Sequence, residues 1–265
     1  MKSPFLLIPF FQTAYLFLSM TTHPILSIYH ALLKHRVRFL LMGGQACIFY
    51  GASEFTRDSD FCVFCDQNNL LALQNALASL QAENTFFPLL EEKYLLRGHA
   101  CHFICRKEGL TNFRIDIMAK MRNCPDFEVL WQDRNNFFFE GMTIPVMGVS
   151  HLVQAKKTQR DKDWPMVRRL VEEDYRQHRD DAKKIDFWLL ECRTPEMLRE
   201  LVGQFSDRIH LLSLKRPLLL IVNTSDINSL EEALLREELN ERQADRAYWE
   251  PLKKELEQMR HDRTR

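Results

Sequence analysis

The sequence predicts an α+β protein, in which a mixed β-sheet with flanking helices is followed by a helical C-terminal region. Three observations support this fold class. From residue 37 the chain shows a strand–helix–strand pattern, further β-prone segments follow it, and charge rises sharply beyond residue 148. A length of 265 residues is enough for one large domain or two small ones with a real core.

The first elements are a helix, a strand and a glycine turn. Apolar residues recur at helical spacing between Thr22 and His35, with Thr22 as the predicted N-cap and Pro24 in the first turn. Residues 37–42 form a predicted strand, and a short helix is expected from the glycines that follow through Tyr50.

The rest of the predicted sheet surrounds one further helix. A strand that starts at Asp58 ends near residues 66–69, and leucines at helical spacing mark a helix from Leu70 to Leu80. The remaining β-prone segments predict strands at 85–87, 100–104 and 113–118 and a hairpin at 137–146.

The composition changes after the hairpin. Ser150 is predicted to cap a helix, and the chain from His151 onward is helical and highly charged. Residues 218–222 are expected to be buried, and residues 229–262 alternate acids and bases as a solvated helix or pair of helices. The predicted regions are an apolar N-terminal extension at 1–20, a core at 21–148 and a helical region at 149–265.

Residues 1–20 are apolar with a single lysine. They resemble the core of a signal peptide, but no small-x-small cleavage site is clear, Pro9 interrupts the run, and it is short for a membrane span. Three interpretations stay open: an added extension or packed tail with Met20 as the true start, a signal or interfacial anchor, or another role. We expect no stable membrane insertion.

Charge and cysteine content restrict the class of protein. The chain has 36 basic and 36 acidic residues, which argues against broad, non-specific nucleic-acid binding but is compatible with a local basic patch. Its 7 cysteines are an odd number scattered among apolar residues, so reduced and mostly buried thiols are expected. A cytoplasmic protein is the simplest interpretation.

The functional prediction depends on a stretch that begins at Gly43-Gly44-Gln45. An apolar strand leads into the two glycines, where the backbone can turn tightly and approach a ligand closely. At a strand-to-helix junction, the N–H groups of the first helical turn suit phosphate. Asp58 and Asp60 follow at i and i+2 in a predicted strand and therefore share one face.

A third acid, Asp116, lies on the open side of a half-buried strand, opposite Ile115 and Ile117. Carboxylates held close together on one face repel each other unless a cation lies between them. Mg²⁺ is the usual cation beside phosphates, because it takes oxygen ligands and keeps positions open for substrate. Asp58, Asp60 and Asp116 are the predicted metal ligands and catalytic residues.

The glycine pair, its spacing to Asp58 and Asp60, and a later strand with Asp116 resemble the nucleotidyltransferase superfamily, and most of all its small antitoxin-type and AbiEii-like members. The resemblance spans roughly residues 25–165. It implies a polymerase-β-like fold, Mg²⁺ as cofactor, and transfer of a nucleotide from a nucleoside triphosphate, ATP foremost, to a hydroxyl. Many members carry serine where this chain has Gly44 or Gln45, so a hydroxyl contact to phosphate is expected to be absent.

Basic residues supply further candidates for nucleotide binding. Lys156 and Arg160 are spaced i, i+4 and would share a helix face, and the resemblance implies that a lysine on this helix contacts phosphates. Arg57, directly before Asp58, is another candidate. The alternative is that these charges form a solvated surface.

Cysteines and histidines near the sheet raise the alternative of a zinc site. The residues in question are Cys62, Cys65, His99, Cys101, His102 and Cys105. In a strand, Cys62 and Cys65 would point to opposite faces, which prevents shared ligation. We therefore expect core cysteines rather than zinc ligands.

Three functional hypotheses follow. The first is an enzyme whose acceptor is an RNA end, a protein hydroxyl or a small molecule, with Asp116 placed to orient or deprotonate that hydroxyl. The second is a nucleotide-binding or toxin–antitoxin interaction protein without turnover. The third is RNA recognition, for which the basic residues are Arg168, Arg169, Lys183 and Lys184.

Overall fold

The structure, a computed structural model, describes residues 24–53, 56 and 58–263. The predictions for residues 1–20 and for the Thr22 cap lie outside these residues. The chain divides into two compact units, and the main division falls between Gly148 and Val149. Among the described residues, the first unit also includes 254–263 and the second also includes 50–53.

The first unit contains a mixed sheet of seven strands, as the sequence predicts. The order across the sheet is β3-β4-β5-β2-β1-β7-β6. The pairs β2–β5 and β1–β7 are parallel, and the other four pairs are antiparallel. The strands are β1 Phe39–Met42, β2 Asp58–Val63, β3 Ala82–Asn84, β4 Cys101–Cys105, β5 Arg114–Met118, β6 Asn135–Phe139 and β7 Met142–Val146.

Five helices lie wholly within the described part of the first unit: α1 Pro24–Lys34, α2 Gly43–Phe49, α3 Gln67–Ser79, α4 Glu92–Arg97 and α5 Phe127–Gln132. Helix α1 buries the predicted apolar face, including Ile25, Ile28 and Leu32. Helix α3 starts where the sequence places a cap, because the Asp66 carboxylate accepts a hydrogen bond from the backbone N–H of Asn69.

The structure corrects the predicted strand at residues 85–87, whereas the strands predicted at 100–104 and 113–118 are present as β4 and β5. Strand β3 ends at Asn84, so residues 85–87 are not a strand, and α4 occupies part of the same segment. Pro88 supplies no N–H to a sheet and restricts the backbone of Phe87, so the strand cannot continue through this point. Helix α4 is only six residues long, too short for a helical pattern to stand out.

The core of the first unit lies around the central strands. All four residues of β1 are buried, and Phe39 meets Phe61 of β2 edge-to-face with ring centroids 5.5 Å apart. Tyr29 of α1 contacts Phe61 in the same manner, with centroids 6.3 Å apart. This packing fixes β1 and β2 side by side and thereby sets the position of the polar residues at the start of β2.

The second unit is helical in its described residues, as predicted for the C-terminal region. Its helices are α6 Val149–Lys156, α7 Trp164–His178, α8 Ile185–Glu191, α9 Pro195–Gln204, α10 Ser206–Leu212 and most of α11 Ile227–Arg263. The predicted buried stretch 218–222 is only partly correct: Leu219 and Val222 are buried, but Leu220 and Ile221 are exposed. No described helix combines the length and apolarity needed to cross a membrane.

Candidate active site

The three predicted acids lie on one face of the sheet. Asp58 and Asp60 are two residues apart along β2, so their side chains point to the same face. Strand β5 pairs with β2 in parallel, and the register sets Asp60 directly beside Asp116. Residues that are directly opposite in neighbouring strands share a face, and the strands are about 4.8 Å apart. The sheet therefore brings together acids that are more than fifty residues apart in sequence.

The glycine turn lies against the second of these acids. Met42 of β1 is the register partner of Asp60, and Gly43 follows directly with φ +68°. A Cβ atom built on Gly43 would be 1.8 Å from Oδ2 of Asp60. Only glycine suits this position, because it both tolerates positive φ and leaves room for the carboxylate.

Thr56 brings a hydroxyl to the turn that sequence reasoning did not anticipate. A Cβ atom on Gly44 would lie 2.8 Å from Oγ1 of Thr56, and this hydroxyl donates a hydrogen bond of 2.7 Å to Oδ1 of Asp58. A threonine two residues before an aspartate is a local hydrogen-bonding pattern that could have drawn attention to it. A hydroxyl therefore lies beside Gly44, although neither Gly44 nor Gln45 carries one.

His102 is a second residue whose position sequence reasoning left open. It is the register partner of Asp116 in the antiparallel pair β4–β5, and its Nδ1 lies 2.8 Å from Oδ1 of Asp116. The available signal was the alternation of β4, which places His102 between the buried residues Cys101 and Phe103. The pairing of β4 with β5, which brings His102 next to Asp116, depends on contacts between separate strands and cannot be read from the local pattern.

The carboxylates share a face without converging on one point. Among the described residues, no group of three or more histidine, cysteine, aspartate or glutamate side chains is arranged to hold a metal ion. The donor chemistry nevertheless fits Mg²⁺, which binds through one or two carboxylates and takes its other ligands from phosphates and water. Asp58 and Asp60 fulfil that requirement, and Asp116 is directly beside Asp60.

The predicted phosphate-binding turn is a strand-to-helix junction, as the sequence indicates. Helix α2 begins at Gly43, immediately after β1. Gly43, Gly44 and Gln45 are all buried, so the turn also packs against its surroundings. Arg57 lies outside the described residues.

Lys156 and Arg160 belong to the second unit, and the predicted shared helix face is wrong. Helix α6 ends at Lys156, so Arg160 lies beyond the helix. Both side chains instead meet Asp163: Lys156 Nζ is 3.2 Å from Oδ1 and Arg160 Nε is 2.7 Å from Oδ2. Burial alone would raise the pKa of Asp163, but Lys156, Thr158 and Arg160 together lower it.

The other basic candidates are mostly exposed. Arg168 and Arg169 on α7 are exposed, as is Lys183. Lys184 is held by Asp174, with Nζ 2.5 Å from Oδ1.

The cysteines are free thiols, and five of the seven are buried, as expected for core residues. Burial raises the pKa of Cys105 to about 11 and that of Cys124 to about 12, so both thiols stay protonated near neutral pH. Strand alternation does not relate Cys62 to Cys65, because β2 ends at Val63 and Cys65 lies outside it.

No protein-family model and no curated protein matches this chain. One similar solved structure is a candidate nucleotidyltransferase from Thermotoga maritima, at 17% identity and TM-score 0.36, with 54% of this chain and 83% of that chain covered. Another is an antigenic nucleotidyltransferase-like protein from Paracoccidioides brasiliensis, at 14% identity and TM-score 0.37, with 72% and 90% covered. Likeness this distant carries no functional argument.

Proposed function

We propose that this chain is a Mg²⁺-dependent nucleotidyltransferase of the antitoxin-type or AbiEii-like kind. It would move a nucleotide from a nucleoside triphosphate, with ATP as the first donor to test, to a hydroxyl on an RNA end, a protein or a small molecule. One observation carries the proposal: the register of β2 and β5 sets Asp60 beside Asp116, with Asp58 on the same face and the Gly43 turn against Asp60.

Asp58, Asp60 and Asp116 are the residues that would hold the cation. When bound, Mg²⁺ neutralises charge on the phosphates and on the attacking and leaving oxygens. Asp116 would also orient the acceptor hydroxyl. The acceptor oxygen bonds to the α-phosphorus, the bond to pyrophosphate breaks, and the hydroxyl proton passes to Asp116 or to water.

The phosphates would be bound by backbone N–H groups of Gly43, Gly44 and Gln45. Arg57, Lys156 and Arg160 are proposed as additional phosphate contacts. For Lys156 and Arg160 this requires that phosphate oxygens replace the carboxylate of Asp163, with which both now pair. We also propose a cytoplasmic location, because the described cysteines are all free and reducing compartments keep thiols in that state.

The second candidate function is nucleotide binding without turnover, or a toxin–antitoxin interaction. The observation that favours it is that the carboxylates do not form a ready-made three-ligand group within the described residues. A protein of this kind would bind a nucleoside triphosphate and leave it intact.

A transfer assay separates the two functions. The full chain is incubated with Mg²⁺, α-³²P-labelled nucleoside triphosphates and candidate acceptors, namely RNA, protein extract and small hydroxyl compounds. We expect label on one acceptor class. Asp58→Asn and Asp60→Asn should abolish transfer, since each removes a charge that the cation requires.

Asp58, Asp60 and Asp116 together are called the carboxylate row. Glu108→Gln is the matched control, because Glu108 is an exposed acid of the same unit outside this row. Transfer that survives both aspartate substitutions would refute the enzymatic proposal. Nucleotide binding with no labelled acceptor would favour the second function, and RNA binding that persists at moderate salt would favour RNA recognition.

A further inference from the structure

Three polar side chains form a row across the middle of the sheet. Asp60 on β2 pairs with Asp116 on β5, and Asp116 pairs with His102 on β4. Direct register partners share a face, so the three side chains emerge side by side. The row continues the proposed cation site by one strand.

Asp116 lies between a like charge and a hydrogen-bond partner. Its side chain is 15% exposed, so it has lost most of its water. The Asp60 carboxylate is its register partner on one side, and Nδ1 of His102 bonds to it on the other. Within the described part of the chain, this bond is the one that the Asp116 side chain makes.

The bond also defines which oxygen is engaged. An ionised carboxylate can only accept hydrogen bonds, so Nδ1 of His102 must carry the hydrogen. Oδ1 of Asp116 is thereby committed to His102 at 2.8 Å. Oδ2 has no donor among the described residues.

A second histidine–carboxylate pair in the same unit, His99 with Glu255, serves as a comparison. His99 is 3% exposed, and its Nε2 meets Glu255 at 3.0 Å. Tyr94 packs against the ring of His99. His102 differs in two respects: its side chain is 34% exposed, and its partner belongs to the carboxylate row.

We propose that His102 is a positioning residue for Asp116: by holding Oδ1, it leaves Oδ2 as the oxygen that binds the divalent cation. The inference rests on the proposed function, because it assumes that Asp116 is a cation ligand. Hydrogen bonds to ligating carboxylates fix their orientation, and loss of such a partner commonly weakens metal binding about 10–100-fold.

The test measures binding of Mn²⁺ alone to the full chain, by loss of the electron paramagnetic resonance signal of free Mn²⁺. His102→Ala should weaken binding about tenfold or more, in line with loss of an outer partner. His102→Asn should keep most of the affinity, because its amide N–H₂ donates from a position close to that of Nδ1. His102→Gln, whose amide lies one bond farther out, should behave like His102→Ala.

Two controls separate positioning from stability. His30→Ala removes an exposed histidine of the same unit and should leave Mn²⁺ affinity unchanged. In an Asp116→Asn background, His102→Ala should have no further effect, because His102 acts through Asp116. Circular dichroism confirms that each variant is folded, and the His102→Asn and His102→Gln pair decides the case if His102→Ala does not fold.

The outcomes distinguish the two proposals. If Asp60→Asn abolishes Mn²⁺ binding while folded His102→Ala and His102→Gln bind as tightly as wild type, or more tightly, the role of His102 is refuted and the cation site stands. If wild type does not bind Mn²⁺, or Asp60→Asn binds it equally well, both proposals fall.

Discussion

Single side chains set how closely the carboxylate row approaches the glycine turn. Asp60 fills the space that a side chain at Gly43 would need, and Thr56 fills the space beside Gly44. Hydrogen bonds from Thr56 and His102 hold one oxygen each of Asp58 and Asp116. The carboxylates are therefore oriented by their own neighbours in the fold.

The substitution Gly43→Ala tests the contact between the turn and Asp60. Positive φ alone costs a non-glycine residue about 1–2 kcal/mol. At Gly43 the new methyl group would in addition overlap the Asp60 carboxylate, so we expect a larger loss of unfolding free energy, measured by urea denaturation.

Gly141→Ala is the control for this prediction. Gly141 has φ +75°, and no heavy atom lies within 4 Å of the place that a Cβ atom would occupy. Alanine there should therefore lose only the free energy that the positive φ costs. Equal destabilisation by the two substitutions would show that Asp60 moves aside at no cost and does not require a glycine.

At the scale of elements, the connection between α6 and α7 is organised around a buried carboxylate. Asp163 is fully buried, and it binds Lys156 at the end of α6, Arg160 in the connection, and the Thr158 hydroxyl. Lys156 is itself buried. A buried ion of this kind is stable only while its partners remain. The primary role of Asp163 and its three partners in the described structure is therefore to hold the end of α6 to the start of α7.

Asp163→Asn should destabilise the protein by about 3 kcal/mol at neutral pH, because it leaves Lys156 buried without its counter-charge. The loss should depend on pH. The pKa of Asp163 is lowered in the folded state, so its contribution is complete above the ordinary aspartate pKa of about 3.9 and is lost as pH falls through the lowered value. Urea unfolding of both proteins across this range measures the difference.

Asp161→Asn provides the comparison in the same segment. Asp161 is exposed and pairs with Arg242 at the surface, so its removal should cost little at any pH. A gap between wild type and Asp163→Asn that stays constant below pH 4 would contradict the assigned charge state.

Local patterns in the sequence predicted those elements whose periodicity is strong. The alternation around Asp116 and the spacing of Asp58 and Asp60 were sufficient to place three acids on strands, and the sheet register then joined them. What the sequence could not provide was pairing between distant strands, which is why the neighbourhood of His102 and Asp116 was not foreseen. Short elements such as α4 were missed because six residues contain fewer than two helical turns, too few for the periodicity to stand out.

The end of a helix was the other point at which local reasoning failed. The i, i+4 spacing of Lys156 and Arg160 is compatible with a continuing helix, and nothing in the adjacent residues is a strong stop signal. In the structure both side chains pair with the buried Asp163, which follows Arg160 by three residues and Lys156 by seven. Charge patterns alone could not show that two of the predicted phosphate ligands have a carboxylate partner.

At the scale of the molecule, the chain returns to its first unit at the C-terminal end. Residues 254–263 of α11 are part of that unit. Glu255 there pairs with Arg97 at the end of α4 and with His99, and the Arg260 guanidinium donates to the carbonyl oxygen of Phe87. The hydrogen bond from His99 and the charge of Arg97 lower the pKa of Glu255.

Glu255→Gln should loosen the segment between α4 and β4 without unfolding the sheet. His99 is buried, and an unsatisfied or weakly satisfied buried polar group costs about 1–3 kcal/mol. We expect faster amide hydrogen exchange across residues 91–105, measured by mass spectrometry, with exchange in β1 and β2 unchanged. Glu257→Gln changes an exposed neighbour on the same helix and should have no effect. If exchange in 91–105 is the same in all three proteins, the ion pairs of Glu255 do not stabilise this segment, and the last turns of α11 are dispensable to the unit that carries the carboxylate row.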